Sequence, residues 1–253
     1  MILDQFSLKG KFALVTGSSR GLGAAIAIAL AQAGAGVALH GSTSAPKATQ
    51  HKLDALGAKS IALVGDVADA AVCAKLVEET VRQFGAIDIL VNNAGIIRRA
   101  PAADYPEEDW KALIDVNLSS VFRLTQHAGR HMLLRGSGKI INIASLLTFQ
   151  GGILVPAYAA AKGGVGQLTK AFANEWAAKG VNVNAIAPGY METDNTEALK
   201  KNPERARQIL ERIPAGRWGK PEDLAGAAVF LASSASDYVH GHVLVVDGGW
   251  LNR

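Results

Sequence analysis

The sequence predicts an α/β fold, a doubly wound parallel sheet with helices on both faces. Its strand candidates are near-continuous apolar runs, as expected of strands buried on both sides, and helical patterns separate them almost throughout. Two polar or mixed segments, at about 146–156 and 190–220, interrupt that alternation after the fifth and sixth strands. Long irregular segments in a compact domain are usually binding loops, so these are the expected substrate loops.

The elements follow in order. Residues 11–17 (KFALVTG) read as the first strand, and 22–34 as a helix closed by glycine. A second strand at 36–40 precedes a helix at 47–56 that ends at Gly57. Residues 60–67 (SIALVGDV) form the third strand and 69–84 its helix. The fourth strand, 87–93, leads to a long helical stretch at 110–134. The fifth, 139–144 (KIINIA), is followed by a helix at 158–179. Strands at 181–186 (VNVNAI) and 242–247 (HVLVVD) complete seven. No linker, repeat or low-complexity tract divides the chain, so residues 1–253 are expected to form one domain.

Composition narrows the function. Apolar residues make up 49% of the chain and charged ones 19%, enough to build a large core and too apolar for disorder. The net charge of +4 is dispersed without a basic block, which argues against nucleic acid but suits anionic small molecules. A single cysteine, Cys73, forms no internal disulfide, and no Cys/His spacing suggests a metal. The start, MILDQFSLKGK, lacks the basic-then-apolar order of a secretory signal, and no apolar run reaches membrane-spanning length. The expectation is a soluble cytoplasmic protein, bound neither to membrane nor to nucleic acid.

The first strand runs into TGSSRGLG, with glycines at 17, 21 and 23. Gly17 permits the turn, while Ser19, Arg20, Gly21, Leu22 and Gly23 bring backbone N–H groups to a helix start, where a dinucleotide's diphosphate would bind. At the end of the third strand Asp66, followed by Val67, would accept an adenine amino group or serve as a turn aspartate. Asn93, Ala94 and Gly95 end the fourth strand at the carboxyl edge, where open α/β sheets bind ligands. The second strand ends in HGSTSAPK, without a carboxylate. Arg20, Ser42, Thr43 and Lys47 could instead hold a 2′-phosphate, which leans towards NADP(H) over NAD(H).

Tyr158 and Lys162 stand four residues apart on one helix face, and Ser145 closes the fifth strand. A tyrosine acting as a base near neutrality needs a shift of roughly three pH units, about 4 kcal/mol, within reach of a nearby ammonium and a cationic nicotinamide. Asn117 in DVNLSS is unfavourable within a helix unless its amide is used.

Together TGSSRGLG, Asp66, NNAG, Asn117, Ser145, YAAAK and Pro188-Gly189 resemble the short-chain dehydrogenase/reductase family over essentially the whole chain. That resemblance implies a Rossmann-type sheet, hydride transfer at a carbinol or ketone, and a homotetramer. It implies that Asn117 holds a relay water, Ser145 orients the carbonyl and Tyr158 is the acid/base. Lys162 would bind the nicotinamide ribose and lower the tyrosine pKa, while Pro188, Gly189 and Thr193 would pack on the carboxamide.

NNAGIIRR, SLLTFQGGILVPAY, NAIAPGYMETDNT and RIPAGRWGKPEDL resemble the branch acting on deoxy-keto sugar acids, usually with NAD. Such a substrate requires a cation and hydrogen-bond partners. Arg98, Gln150, Tyr190, Asn195 and Trp218 are the candidates. Neighbours in extended backbone point to opposite sides, so only one of Arg98 and Arg99 should face the pocket, and Arg98 is the expected one. A 3-oxoacyl carrier-protein reductase is the alternative enzyme, and a non-catalytic cofactor-binding or structural protein the alternative of another class.

Overall fold

Seven strands lie in the order β3-β2-β1-β4-β5-β6-β7, and every pairing is parallel. The computed structural model describes residues 1–253, apart from the side chains of Asn195 and Ala198. The strands are β1 (Phe12–Val15), β2 (Gly36–Gly41), β3 (Ser60–Val64), β4 (Ile89–Asn92), β5 (Gly138–Ile143), β6 (Val181–Pro188) and β7 (Val243–Val246). Crossover helices α1 (Gly21–Gln32), α2 (Lys47–Ala55) and α3 (Ala70–Phe84) serve the first half. In the second half are α4 (Glu107–Ile114), α5 (Ser120–Arg135), α6 (Pro156–Trp176), α7 (Asp194–Lys200), α8 (Pro203–Arg212) and α9 (Ala225–Ala232).

Successive strand residues feed opposite cores, as the pleat requires. Ala13, Val15, Val37, Leu39, Ile89 and Val91 pack with Ile26, Leu30, Leu224 and Leu231 on one face. Leu14, Ala38, Leu90, Ile140 and Val183 pack with Leu76, Leu124, Met132 and Trp176 on the other. The strands are apolar at consecutive positions because both of their faces are covered. Cys73 is buried in the second core as a small apolar side chain.

Two expectations need correction, and one helix went unpredicted. The helix over 110–134 is α4 and α5 joined through a π-helical turn at Asp115–Ser119. The segment 190–220 contains α7 and α8 rather than loop alone. In α8 Asn202 caps the start, Pro203 opens it, Ala206, Ile209 and Leu210 share one face with Ile209 buried, and Arg207 pairs with Glu204 and Glu211. Residues 225–232 form α9, whose small apolar side chains carry almost no helical pattern and pack on α1.

Candidate active site

The strand order reverses between β1 and β4, and the cleft of an open α/β sheet belongs at that point. A cleft of about 680 Å³ opens at the carboxyl ends of these strands. Gly17, Ser19, Arg20, Gly21, Leu22 and Gly23 line it. Gly17 and Gly21 have φ +63 and +57, the left-handed region that favours glycine. A Cβ on Gly17 would also lie 2.9 Å from the Ala94 Cα.

The turn is sewn to β4. The Asn93 side-chain amide donates to the carbonyls of Thr16 at 2.8 Å and Gly17 at 3.0 Å. In return the Thr16 hydroxyl accepts from the backbone N–H of Asn93 at 3.0 Å and of Ala94 at 3.1 Å. Asn93, Ala94 and Gly95 do line the cleft, with the Asn93 amide acting as a brace for the turn. Asn92 points inward to Thr125 and Asn142. The start of α1 carries no acidic residue in its first turn, leaving its N–H groups and dipole for an anion.

At the β3 end Asp66 and Val67 line the cleft. An Asp66 carboxylate oxygen accepts from Ala68 N–H at 3.0 Å, so the turn role is present in a residue that also faces the cavity. At the β2 end Ser42, Thr43 and Ser44 line the wall. Gly41 is required there, because a Cβ would run into the Ser44 carbonyl curling back over it. The sequence reading overlooked His40, which is 1% exposed and also lines this wall. A histidine at a strand end has no chemistry-specific spacing to betray it.

Tyr158 and Lys162 line the reacting end from α6. Lys162 Nζ donates to the Ile143 carbonyl at 2.5 Å and lies 5.6 Å from the Tyr158 ring centroid. Burial pushes this lysine down to about 8. Burial pushes Tyr158 above the ordinary phenol value, offset in part by its hydrogen bond to Ser145 and by the positive charge of Arg99. The lowering expected from Lys162 is therefore not present in the protein by itself. Ser145 begins the turn after β5 and accepts from Leu147 N–H at 3.2 Å. The Thr148 hydroxyl ties that turn to α6 by donating to the Lys162 carbonyl at 2.9 Å.

Asn117 sits in the π-helical turn, fully buried. Its amide accepts from Ile96 N–H and donates to the Ile96 carbonyl, both at 2.8 Å. The unfavourable helical asparagine is thus explained, since it pins the chain leaving Gly95.

The remaining candidates divide. Thr193 lines the cleft and caps α7. Pro188 ends β6, and Gly189 donates to the Val246 carbonyl at 2.9 Å with its α-carbon against Asp247; both stand behind the cleft lining. Tyr190 and Trp218 pack edge-to-face at 5.6 Å, with Trp250 4.6 Å from Tyr190, in a cluster with Leu146, Ile209 and Ile213. They build the cap over the cleft rather than its lining. Gln150 is also outside the lining, its backbone bonded to the Leu146 carbonyl, and the Asn195 side chain lies outside the described residues. Arg98 lines the cleft but pairs with Asp109 at 3.5 Å. Arg98 is the member of the pair in the lining, and the positive charge of Arg99 also acts on Tyr158.

A diphosphate turn at the switch point and a buried tyrosine–lysine pair beside a serine define a nicotinamide-dependent oxidoreductase. Residues 17–251 match the family model described as enoyl-(acyl carrier protein) reductase, and the chain belongs to the short-chain dehydrogenase/reductase family. It is 57% identical over 256 residues to 2-dehydro-3-deoxy-D-gluconate 5-dehydrogenase of Bacillus subtilis, covering 99% of this chain and 98% of that one. An Agrobacterium tumefaciens structure with bound NADP, provisionally named 2-deoxy-D-gluconate 3-dehydrogenase, is 55% identical with a TM-score of 0.93, covering 99% and 100% of the two chains. A gluconate 5-dehydrogenase from Burkholderia cenocepacia in complex with NADP and tartrate is 44% identical with a TM-score of 0.94, each chain covered completely.

Proposed function

We propose that this enzyme transfers a hydride between NADP(H) or NAD(H) and a hydroxyl or ketone of a deoxy-keto sugar acid, of the 2-dehydro-3-deoxy-D-gluconate or 2-deoxy-D-gluconate type. The observation that carries the acidic substrate is the adjacent arginine pair at the cleft, Arg98 in its lining and Arg99 with its charge acting on Tyr158. A guanidinium can take a substrate carboxylate bidentately. The family description names an acyl-carrier substrate, but relatives named for sugar acids match along essentially their whole length at 57% and 44% identity. The 3-oxoacyl carrier-protein alternative is therefore the weaker one.

The cleft fits a dinucleotide: its glycine turn leaves room where a Cβ would intrude, and it holds free helix N–H groups. A bound nicotinamide supplies the hydride acceptor or donor. Ser145 orients the substrate oxygen, and Tyr158 gives or takes the proton at Oη. Because burial raises the phenol, Tyr158 is protonated at neutral pH and poised as the acid for ketone reduction. Lys162 ties the Tyr158 side of α6 to the end of β5 through the Ile143 carbonyl and would hold the nicotinamide ribose. Asn117 has spent its amide on Ile96, so its part is to hold the chain that leaves Gly95 rather than to bind a relay water through that amide. The β2 end, hydroxyl-rich and without a carboxylate, suits a 2′-phosphate and favours NADP(H).

We also take the protein to be a cytoplasmic homotetramer, acting where nicotinamide cofactors are regenerated. Among the described residues no helix is long and apolar enough to cross a membrane. A groove beside α5 and α6, lined by Leu118, Phe122, Gly164 and Leu168, leaves Phe122 41% exposed and suits a second copy of the chain.

The test is Arg98→Ala and, separately, Arg99→Ala, each assayed on a sugar acid and on an uncharged ketone. KM for the acid should rise on the order of 10- to 100-fold, the loss of one charged hydrogen-bond pair, with little change for the ketone. Equal effects on both substrates would remove the carboxylate from this site.

A further inference from the structure

Between the diphosphate turn and the adenine edge stands one side chain to which neither the fold nor the chemistry above gives a part. His40 is the fifth residue of β2, the strand lying between β1 and β3. Its backbone is already paired: its N–H donates to the Ser18 hydroxyl at 2.9 Å and its carbonyl accepts from Ser18 N–H at 2.9 Å. The ring is left free to reach in both directions. Nδ1 lies 3.1 Å from Gly17 N, and Nε2 lies 2.8 Å from the Gly65 carbonyl oxygen.

These partners settle the ring's protonation. Gly17 N–H can only donate and the Gly65 carbonyl can only accept, so Nδ1 is the acceptor and Nε2 carries the hydrogen. The imidazole is neutral, as its burial also favours. Gly17 is the left-handed glycine of the diphosphate turn, and Gly65 directly precedes Asp66. Gly65 itself is held on both sides: its N–H donates to the Gly41 carbonyl at 3.1 Å, and a Cβ there would meet Val72 of α3.

We propose that His40 is a positioning residue for the cofactor, a neutral imidazole strut that sets the distance between the diphosphate turn and the adenine edge. Aliphatic side chains would leave a part-buried N–H and a part-buried carbonyl unpaired, and each turn would relax towards water. A cofactor spanning both turns would then meet them out of register. The inference rests on the cleft's being the NAD(P) site, and it assigns His40 no part in hydride or proton transfer.

Three variants separate the two ends of the strut. Asparagine places an oxygen where Nδ1 lies and keeps the Gly17 bond; glutamine extends an amide towards Gly65 and keeps that one; leucine keeps neither. NADPH binding by titration calorimetry should weaken at least about tenfold in His40→Leu, with kcat at saturating NADPH within about twofold of wild type. His40→Asn and His40→Gln should fall between. Adenosine 2′-monophosphate, which has no 5′ diphosphate, should be weakened by Asn and spared by Gln. If the leucine variant does not fold, the Asn and Gln pair carries the test. Equal weakening of both probes by Asn and Gln, or a kcat loss as large as the affinity loss, would overturn the proposal. Failure of the wild-type protein to bind either NADPH or NADH would instead strike the cofactor assignment itself.

Discussion

Around the glycine turn, buried polar side chains are spent on backbone: Asn93 on Thr16 and Gly17, His40 on Gly17 and Gly65, Thr49 on Ser18 at 2.8 Å. Across the cleft, the segment after β6 is held by Tyr190, Trp218 and Trp250 and by exposed ion pairs such as Arg20–Asp194 and Lys200–Glu192. Backbone-directed hydrogen bonds fix positions to within fractions of an ångström, whereas exposed pairs add little and aromatic packing tolerates exchange. One end of the cleft is thus built for an invariant ligand and the other for a variable one. A fold can then keep its hydride chemistry while changing its substrate.

The sharpest way to break this comparison is at the group between the two ends. Tyr158→Phe keeps the ring and removes only the hydroxyl, so it should lower kcat by about 10²- to 10⁴-fold, the range for loss of a general acid or base. NADPH affinity should be unchanged. A variant that binds cofactor poorly would show that the two ends are not separable.

Trp218→Ala tests the cap. Removing a 9%-exposed indole from the cluster should loosen α7 and α8 and raise KM for the sugar acid about tenfold, roughly 1.4 kcal/mol, while the NADPH Kd stays constant. Parallel losses in KM and Kd would mean that the cap also forms the cofactor site.

A smaller effect reads the buried lysine. Lys162 titrates near 8 in the folded chain and near 10.5 when free, so the unfolded chain holds more protons between those values. Stability should therefore rise with pH across that window, by up to about 3 kcal/mol, and the desolvation cost is fully present below 8. Lys162→Met lacks the titration. Its denaturation midpoint relative to wild type should be highest at pH 7 and fall as pH rises towards 10; a constant difference would show that the lysine is not desolvated.

What the sequence disclosed follows the same division. The strands were legible because two-sided burial writes itself as apolar runs, and the glycine turn because positive φ demands glycine at 17 and 21. Tyr158 and Lys162 were legible through their helical spacing. The cap was missed: α8 is mostly charged, with Glu204, Arg207 and Glu211 around one buried Ile209, although Asn202, Pro203 and the spacing of Ala206, Ile209 and Leu210 are helix signals. Alternation predicted that Arg98 and Arg99 diverge, and Arg98 is the one in the cleft lining; its pairing with Asp109, eleven residues further on, was not legible in the sequence. His40 was illegible because its partners are backbone groups from two other strand ends.

The central claim is that this cleft joins a nicotinamide cofactor to an acidic deoxy-keto sugar. The most direct measurement is a substrate panel, sugar acids against 3-oxoacyl thioesters, each followed at 340 nm (the nicotinamide absorbance band) with NADH and NADPH in parallel. The account predicts turnover of 2-dehydro-3-deoxy-D-gluconate or a close deoxy sugar acid, faster at limiting cofactor with NADPH. Turnover of the thioesters with none of the sugar acids would contradict it.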